Sequence, residues 1–189
     1  MVEAAIVNVV ATATLNQKLD LDELGKFTEI LHDPEIYGGR VAYFKSPNMK
    51  GKVSIFASGK MISVGTKSEK EAASELECAK EFLVKKGIAT PTLLKPKTQN
   101  IVVTVNFEES INLEELAKNR KTIYEPEQFP GAILKIELYN ATVLIFASGK
   151  AVVTGLKSSR QIKPVVQKIV SIINLSSNRG SSELLTDGE

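Results

Sequence analysis

Apolar residues along this chain come in short runs bounded by glycine, proline, asparagine and lysine, the punctuation of strands. Such runs open at 5–15 and 100–107 and recur at 40–45, 52–57, 60–67, 132–138, 142–147 and 150–157. Two stretches carry a helical period instead. Over 68–86, Ala72, Ala73, Leu76, Ala79, Phe82 and Leu83 return on one face, Ser68 and Glu71 have capping-box spacing, and Gly87 supplies a stop. A second long helix is predicted over 159–174, with Pro164 near enough to its start to be tolerated with a bend. Short acidic helices are expected at 19–31 and 113–120. The last stretch, SSNRGSSELLTDGE, has loop composition, and 177–189 is expected to form a flexible tail.

These elements occur twice. IFASGKMISVGTKS at 55–68 aligns with IFASGKAVVTGLKS at 145–158, so that Gly65, Lys67 and Ser68 match Gly155, Lys157 and Ser158. Upstream the offset grows by two residues. HDPEIYGGRVAYF at 32–44 then lies over YEPEQFPGAILKI at 124–136, NVVATATL at 8–15 over NIVVTVNF at 100–107, and LDEL at 21–24 over LEEL at 113–116. Each repeat reads as an opening strand, a short acidic helix, a Pro-Glu turn, three strands and a closing helix. Ser-Gly-Lys is the hairpin turn between the last two strands. TPTLLKPKT at 90–98 is the natural joint, which divides the chain into a first repeat over 1–92 and a second over 93–176.

One substantial helix per repeat covers one face of a sheet, so the other face should turn polar. It does not. Val152 and Val153 point to opposite faces and both are apolar, as are Ile55 and Phe56, Ile145 and Phe146, Val9 and Val10, and Ile101 and Val102. One parity set (Val10, Phe56, Ile62 and Val64; Val102, Phe146, Val152 and Thr154) therefore faces something other than the helices. Three occupants fit: the other repeat in a sandwich, a second copy of the chain, or an external ligand. Asn8 and Asn100 stand at matched places on this set, Thr12 and Thr104 follow them, and Lys60, Lys67, Lys150 and Lys157 mark strand ends. A flat apolar face with a few amide donors and a cationic rim suits a duplex minor groove. A sandwich core has no use for the asparagine pair.

Composition removes other classes. The 189 residues are 43% hydrophobic with a net charge of +2 and a pI near 8.5, mildly basic but not a nucleic-acid signature by themselves. No run approaches the roughly 20 apolar residues of a membrane span, and the apolar start lacks a basic leader. The single cysteine, Cys78, leaves no internal disulfide, and the single histidine, His32, leaves no Cys/His zinc site. His32 is expected as a surface turn residue and Cys78 as a small helix residue. GLKS at 155–158 lacks the adjacent Gly-Lys of a phosphate loop, and no carboxylate pair has acid/base spacing. No catalytic, metal or cofactor site is expected. The Asn-X-Ser/Thr patterns at Asn140 and Asn174 carry no weight in a chain without a secretory signal.

QNIVVTV at 99–105, YEPEQFPG at 124–131, KLDL at 18–21 and both copies of IFASGK with the following G-x-K-S resemble the core domain of the TATA-box-binding protein family, most closely its archaeal form. The resemblance covers about 5–176 in both repeats at matched spacing. It implies an α+β saddle of two pseudo-symmetric repeats that share a ten-stranded antiparallel curved sheet, with helices on the convex face and DNA on the concave one. The implied function is a general transcription initiation factor that binds the minor groove of double-stranded, A/T-rich TATA-box promoter DNA and bends it. An apolar floor accepts A·T pairs and is obstructed by the protruding amino group of G·C.

Residue by residue, Asn8 and Asn100 match the amides that meet base acceptors near the dyad, with Val10, Thr12, Ile62, Val64, Val102, Thr104, Val152 and Thr154 as the floor. Tyr37 and Phe56, and Phe129 and Phe146, match two pairs of intercalating wedges, although Tyr37 stands where phenylalanine is usual. Lys60, Lys67, Lys135, Lys150 and Lys157 match phosphate contacts. Tyr43 stands where the second repeat has Lys135, which implies a weaker phosphate grip in the first repeat. Glu125, Glu127 and Gln128 match the turn on which transcription factor B docks, and RNA polymerase would follow into the complex.

A base-excision glycosylase with a similar duplicated fold is the alternative enzyme, and it needs an appended catalytic domain for which this chain leaves no room. A closed small-molecule or dimerisation module is the third reading, and a homodimer without DNA stays open. With no low-complexity extension before the core, the chain resembles archaeal members. It is expected in the cytoplasm with the nucleoid, away from any membrane, or in the nucleus if the source is eukaryotic.

Overall fold

Branched and aromatic side chains favour extended backbone, and alternation sends successive ones to opposite faces. The structure, a computed structural model, describes residues 2–183, with side chains throughout except at 36, 37 and 177–183. Ten strands form: β1 (Glu3–Thr14), β2 (Ile30–His32), β3 (Val41–Phe44), β4 (Lys52–Phe56), β5 (Lys60–Thr66), β6 (Lys97–Asn106), β7 (Thr122–Ile123), β8 (Gly131–Ile136), β9 (Ala141–Phe146) and β10 (Lys150–Leu156). They make one sheet in the order β2-β3-β4-β5-β1-β6-β10-β9-β8-β7. The α+β class with ten strands is thus the one expected. Pairing within each repeat is antiparallel.

The chain gathers into two compact units. The first is Val7–Asn100. Among the described residues, the second joins 2–6 to 101–183. Each has its own core on the helix-facing side of its strands. In the first unit, Val9, Ala11, Ala13, Val53, Ile55 and Met61 are buried under α2 (Glu69–Lys85), whose Ala72, Leu76, Ala79 and Leu83 are wholly enclosed. Phe82 closes the edge against Phe44 at 4.7 Å and Phe27 at 5.7 Å between ring centroids. In the second unit, Val103, Val105, Val143, Ile145, Ala151 and Val153 are buried, as are Val165, Ile169, Ile172 and Ile173 of α4 (Ile162–Glu183). Truncating a fully buried isoleucine such as Ile55 or Ile145 to alanine removes about 2–5 kcal/mol. A one-residue slip would turn every such side chain outward, so the hidden face fixes the register.

The helix ends follow local chemistry. Ser68 Oγ accepts from Glu71 N at 3.1 Å, which caps α2, and the chain leaves through Gly87 at φ +74°. Asp20 and Asn112 cap two short helices, α1 (Leu21–Leu24) and α3 (Leu113–Ala117).

Five local readings change. The first acidic helix is a single turn, and part of its expected span is the edge strand β2. The second edge strand, β7, arises in a segment read as helix end and turn. Both edges are too short to show alternation. His32 is not a surface turn residue: it lies in β2 with its side chain only 4% exposed, Nδ1 3.0 Å from Val41 O and Nε2 3.3 Å from Asp22 Oδ1. A 3-10 turn over Ser159–Gln161 precedes α4, so Pro164 falls in the first turn of the helix, where its missing N–H is not needed. The helix then runs on to Glu183, past the expected end at Asn174, with Ser176 Oγ turned back to donate to Ile172 O at 3.1 Å instead of breaking the helix. Residues 184–189, the rest of the expected tail, lie outside the described residues.

Candidate nucleic-acid interface

On the side of the sheet away from the helices, each unit carries the second parity set, whose aliphatic and aromatic members are half-buried where the first set is buried, while Thr104 is exposed. In the first unit β1 contributes Asn8, Val10 and Thr12, β4 contributes Ser54 and Phe56, and β5 contributes Ile62 and Val64. Strand register sets Ile62 between Thr12 and Ser54. Asn100 and Gln99, on β6, belong to the same unit and are also half-buried. In the second unit, register sets Thr104, Val152, Leu144 and Ile133 in one row across β6, β10, β9 and β8. Thr154 sits beside Thr142, and Val102 precedes the row on β6. A cleft opens here between Ala5, Thr104, Phe146, Lys150 and Val152.

The polar groups on these faces are already oriented. Asn8 Oδ1 accepts from Gly65 N at 2.8 Å, and Thr12 Oγ1 accepts from Gln99 Nε2 at 2.8 Å. Thr104 Oγ1 donates weakly to Ala5 O at 3.5 Å.

Two aromatic rings meet at the far end of the second unit. Phe129 and Phe146 have centroids 5.8 Å apart with planes at 62°. Gly131, paired with Phe146 across the strands, makes room for them: a Cβ there would sit 2.9 Å from Phe129 Cε1 and 3.1 Å from Phe146 Cε1. In the first unit Phe56 is half-buried at the end of β4, opposite Val41. The backbone of Tyr37 lies in a 3-10 turn over Ile36–Gly39, and its side chain lies outside the described residues.

The repeated hexapeptide is a strand end and a hairpin turn. Gly59 and Gly149 adopt φ +82° and +80°, and a Cβ on them would meet Gln17 O at 2.1 Å and Glu109 O at 2.0 Å. No other residue fits there. The turn places Lys60 and Lys150 first on β5 and β10, exposed and on the open-face parity. Lys67 and Lys157 follow the same strands and are exposed. Their backbone N–H groups donate to Glu71 Oε2 at 3.1 Å and Gln161 Oε1 at 2.7 Å. Lys135 is exposed on β8 beside Thr142.

Sequence reasoning missed Lys52. It lies on the open-face parity of β4, and its ammonium sits 4.5 Å from the centroid of Tyr43, the residue that replaces a lysine in the first repeat. Ile133 and Leu144 were missed as well. Their parity in the strand pattern was the available signal, whereas Lys52 has Thr142 as its counterpart and left no repeated trace. Glu125, Glu127 and Gln128 form an exposed turn closed by Gln128 N and Phe129 N donating to Glu125 O at 3.0 and 2.9 Å. Among the described residues, no group of His, Cys, Asp and Glu is placed to hold a metal, and no helix is long and apolar enough to cross a membrane.

Comparison with known proteins bears on this face. Residues 3–85 and 95–175 match the family model described as transcription factor TFIID, or TATA-binding protein. A TATA-box-binding protein of Cenarchaeum symbiosum is 37% identical over 159 residues, covering 84% of this chain and 87% of the relative. One from Methanocaldococcus jannaschii is 36% identical over 173 residues, covering 90% and 93%. The solved structure of Methanococcus jannaschii TBP superimposes with a TM-score of 0.80 at 34% identity, covering 91% of this chain and 98% of that one.

Proposed function

The chain belongs to the TATA-box-binding protein family, in its archaeal type, and from that premise we propose that it is a general transcription initiation factor, not an enzyme, that binds A/T-rich promoter DNA through the minor groove. The observation that carries this reading is the open sheet face: half-buried aliphatics and exposed lysines at the strand ends in each unit, with the Asn8 amide held by the Gly65 N–H in the first. An A·T minor groove offers acceptors and a smooth floor, and G·C interposes an amino group. Val10, Ile62 and Val64, with Val102, Val152 and Thr154, meet that floor. Asn8, Asn100, Thr12 and Thr104 supply polar contacts, and Lys60, Lys67, Lys135, Lys150 and Lys157, joined by Lys52, neutralise phosphates.

Phe129 and Phe146 act as one wedge pair, Phe56 with Tyr37 as the other. The family is itself a standard example of minor-groove wedge binding. Unstacking a base step costs a few kcal/mol and is offset by the extra surface that a bent duplex covers. The Glu125, Glu127 and Gln128 turn, exposed and acidic, receives transcription factor B, and RNA polymerase joins the assembled complex. The work is done in the cytoplasm, on the nucleoid.

Binding of the purified chain to an A/T-rich and a G/C-rich duplex, each at two salt concentrations, tests the proposal. It predicts preference for the A/T duplex and an affinity that falls steeply with salt. Equal, weak binding to both would contradict it and return the apolar faces to a dimer or a small ligand.

A further inference from the structure

Asn8 and Gly65 meet across the β1–β5 pair. The register of that pair slips: Val9 faces Thr66 but Ala11 faces Ser63, so Val10 stands against both Val64 and Gly65. Such a bulge leaves the N–H of the extra residue without a ladder partner. Here Gly65, at φ +97°, gives its N–H to Asn8 Oδ1 at 2.8 Å. Only an oxygen can accept that proton, so the bond decides which way round the amide lies. The oxygen is engaged by the sheet, and the amino group is the end that Gly65 does not hold.

We infer that the Gly65 bulge is a positioning device that locks Asn8 as a donor-only reader of base edges. The inference rests on the minor-groove reading above. An unrestrained amide can turn over and offer its oxygen to the amino group of a G·C pair, and so accept either base pair. A locked amide cannot, and G·C then meets an unpaired donor as well as a steric obstruction. The bulge is built twice. Gly155 adopts φ +96° at the matching place in the second repeat, where Val153 faces Val103 but Leu156 faces Ile101. A Cβ on Gly155 would lie 2.4 Å from Asn140 O, and one on Gly65 would lie 3.0 Å from Gly51 Cα.

Asn8→Asp tests the lock, because it keeps an oxygen for Gly65 and replaces the amino group with a second oxygen. Two quantities are measured on the full chain: hydrogen exchange at the Gly65 amide, and relative affinity for duplexes with a central A·T pair or with diaminopurine·T, which adds one minor-groove amino group. The lock predicts a protected Gly65 amide in the wild type and in Asn8→Asp, and an unprotected one in Asn8→Ala. It also predicts that preference for A·T over diaminopurine·T falls by about tenfold or more in Asn8→Asp. An unprotected Gly65 amide in the wild type, or an unchanged preference in Asn8→Asp, overturns the lock while leaving the A/T preference of the wild type intact. Equal binding of A/T and G/C duplexes by the wild type, with Gly65 protected, overturns the minor-groove reading and the specificity role with it, leaving only the hydrogen bond.

Discussion

Tyr43 and Lys135 hold matched positions in the two repeats, and one of them is neutral. Sequence alignment alone therefore assigns the first repeat a weaker hold on phosphate. Geometry supplies a replacement one strand over, where the Lys52 ammonium rests above the Tyr43 ring. A cation–π contact at an exposed site contributes about 0.5–1 kcal/mol. That is enough to keep the ammonium on the open face, and too little to hold it back from a phosphate. Lys52→Gln is predicted to lower the slope of log affinity against log salt by about 0.9, the value for one phosphate contact on B-form DNA. Titrations of wild type and variant at several salt concentrations measure it. Parallel salt plots for the two proteins would remove Lys52 from the interface.

Among the elements, the starts of the two long helices carry a second asymmetry. At the start of α2, Glu71 takes the Lys67 N–H and pairs with Lys50. At the matched place Gln161 takes the Lys157 and Ser158 N–H groups, with no charge. Hydrogen bonding from Lys50, then from the Lys67 N–H, holds the Glu71 carboxyl below its ordinary 4.5. A lowered folded-state value means stability that is fully present above 4.5 and is lost as pH falls through the lowered value. Glu71→Gln is therefore predicted to lower the denaturation midpoint at neutral pH and low salt, and the gap from wild type should close well below pH 4.5. A gap that is the same at both pH values would show that the charge contributes nothing. This cap was legible in the sequence, since Ser68 and Glu71 have the spacing of a local motif. The edge strands β2 and β7 were not, because two or three residues display no period and pairing with β3 and β8 decides their state.

For the whole molecule, the internal repeat made most of the fold legible: two rounds of alternation, each with one closing helix, left an apolar sheet face that the helices do not cover. Ile133 and Leu144 had a periodic trace that went unread, and the rest of what escaped depends on how the strands pair. Lys52 depends on a neighbouring strand, His32 is enclosed by α1 and β3, and the room that Gly131 gives the Phe129 and Phe146 rings appears only when the strands are paired. The bulges were visible only as conserved spelling between the halves, Gly65 over Gly155, without their geometry. Aromatic wedging on this uncovered face is the central claim, and base unstacking tests it most directly. With a fluorescent adenine analogue at the terminal step of an A/T-rich site, wild-type protein should raise the emission on binding, as the step opens. Phe129→Ala/Phe146→Ala, which leaves the buried core untouched, should bind with little or no rise at that step. The same rise from the double variant as from the wild type would contradict the account.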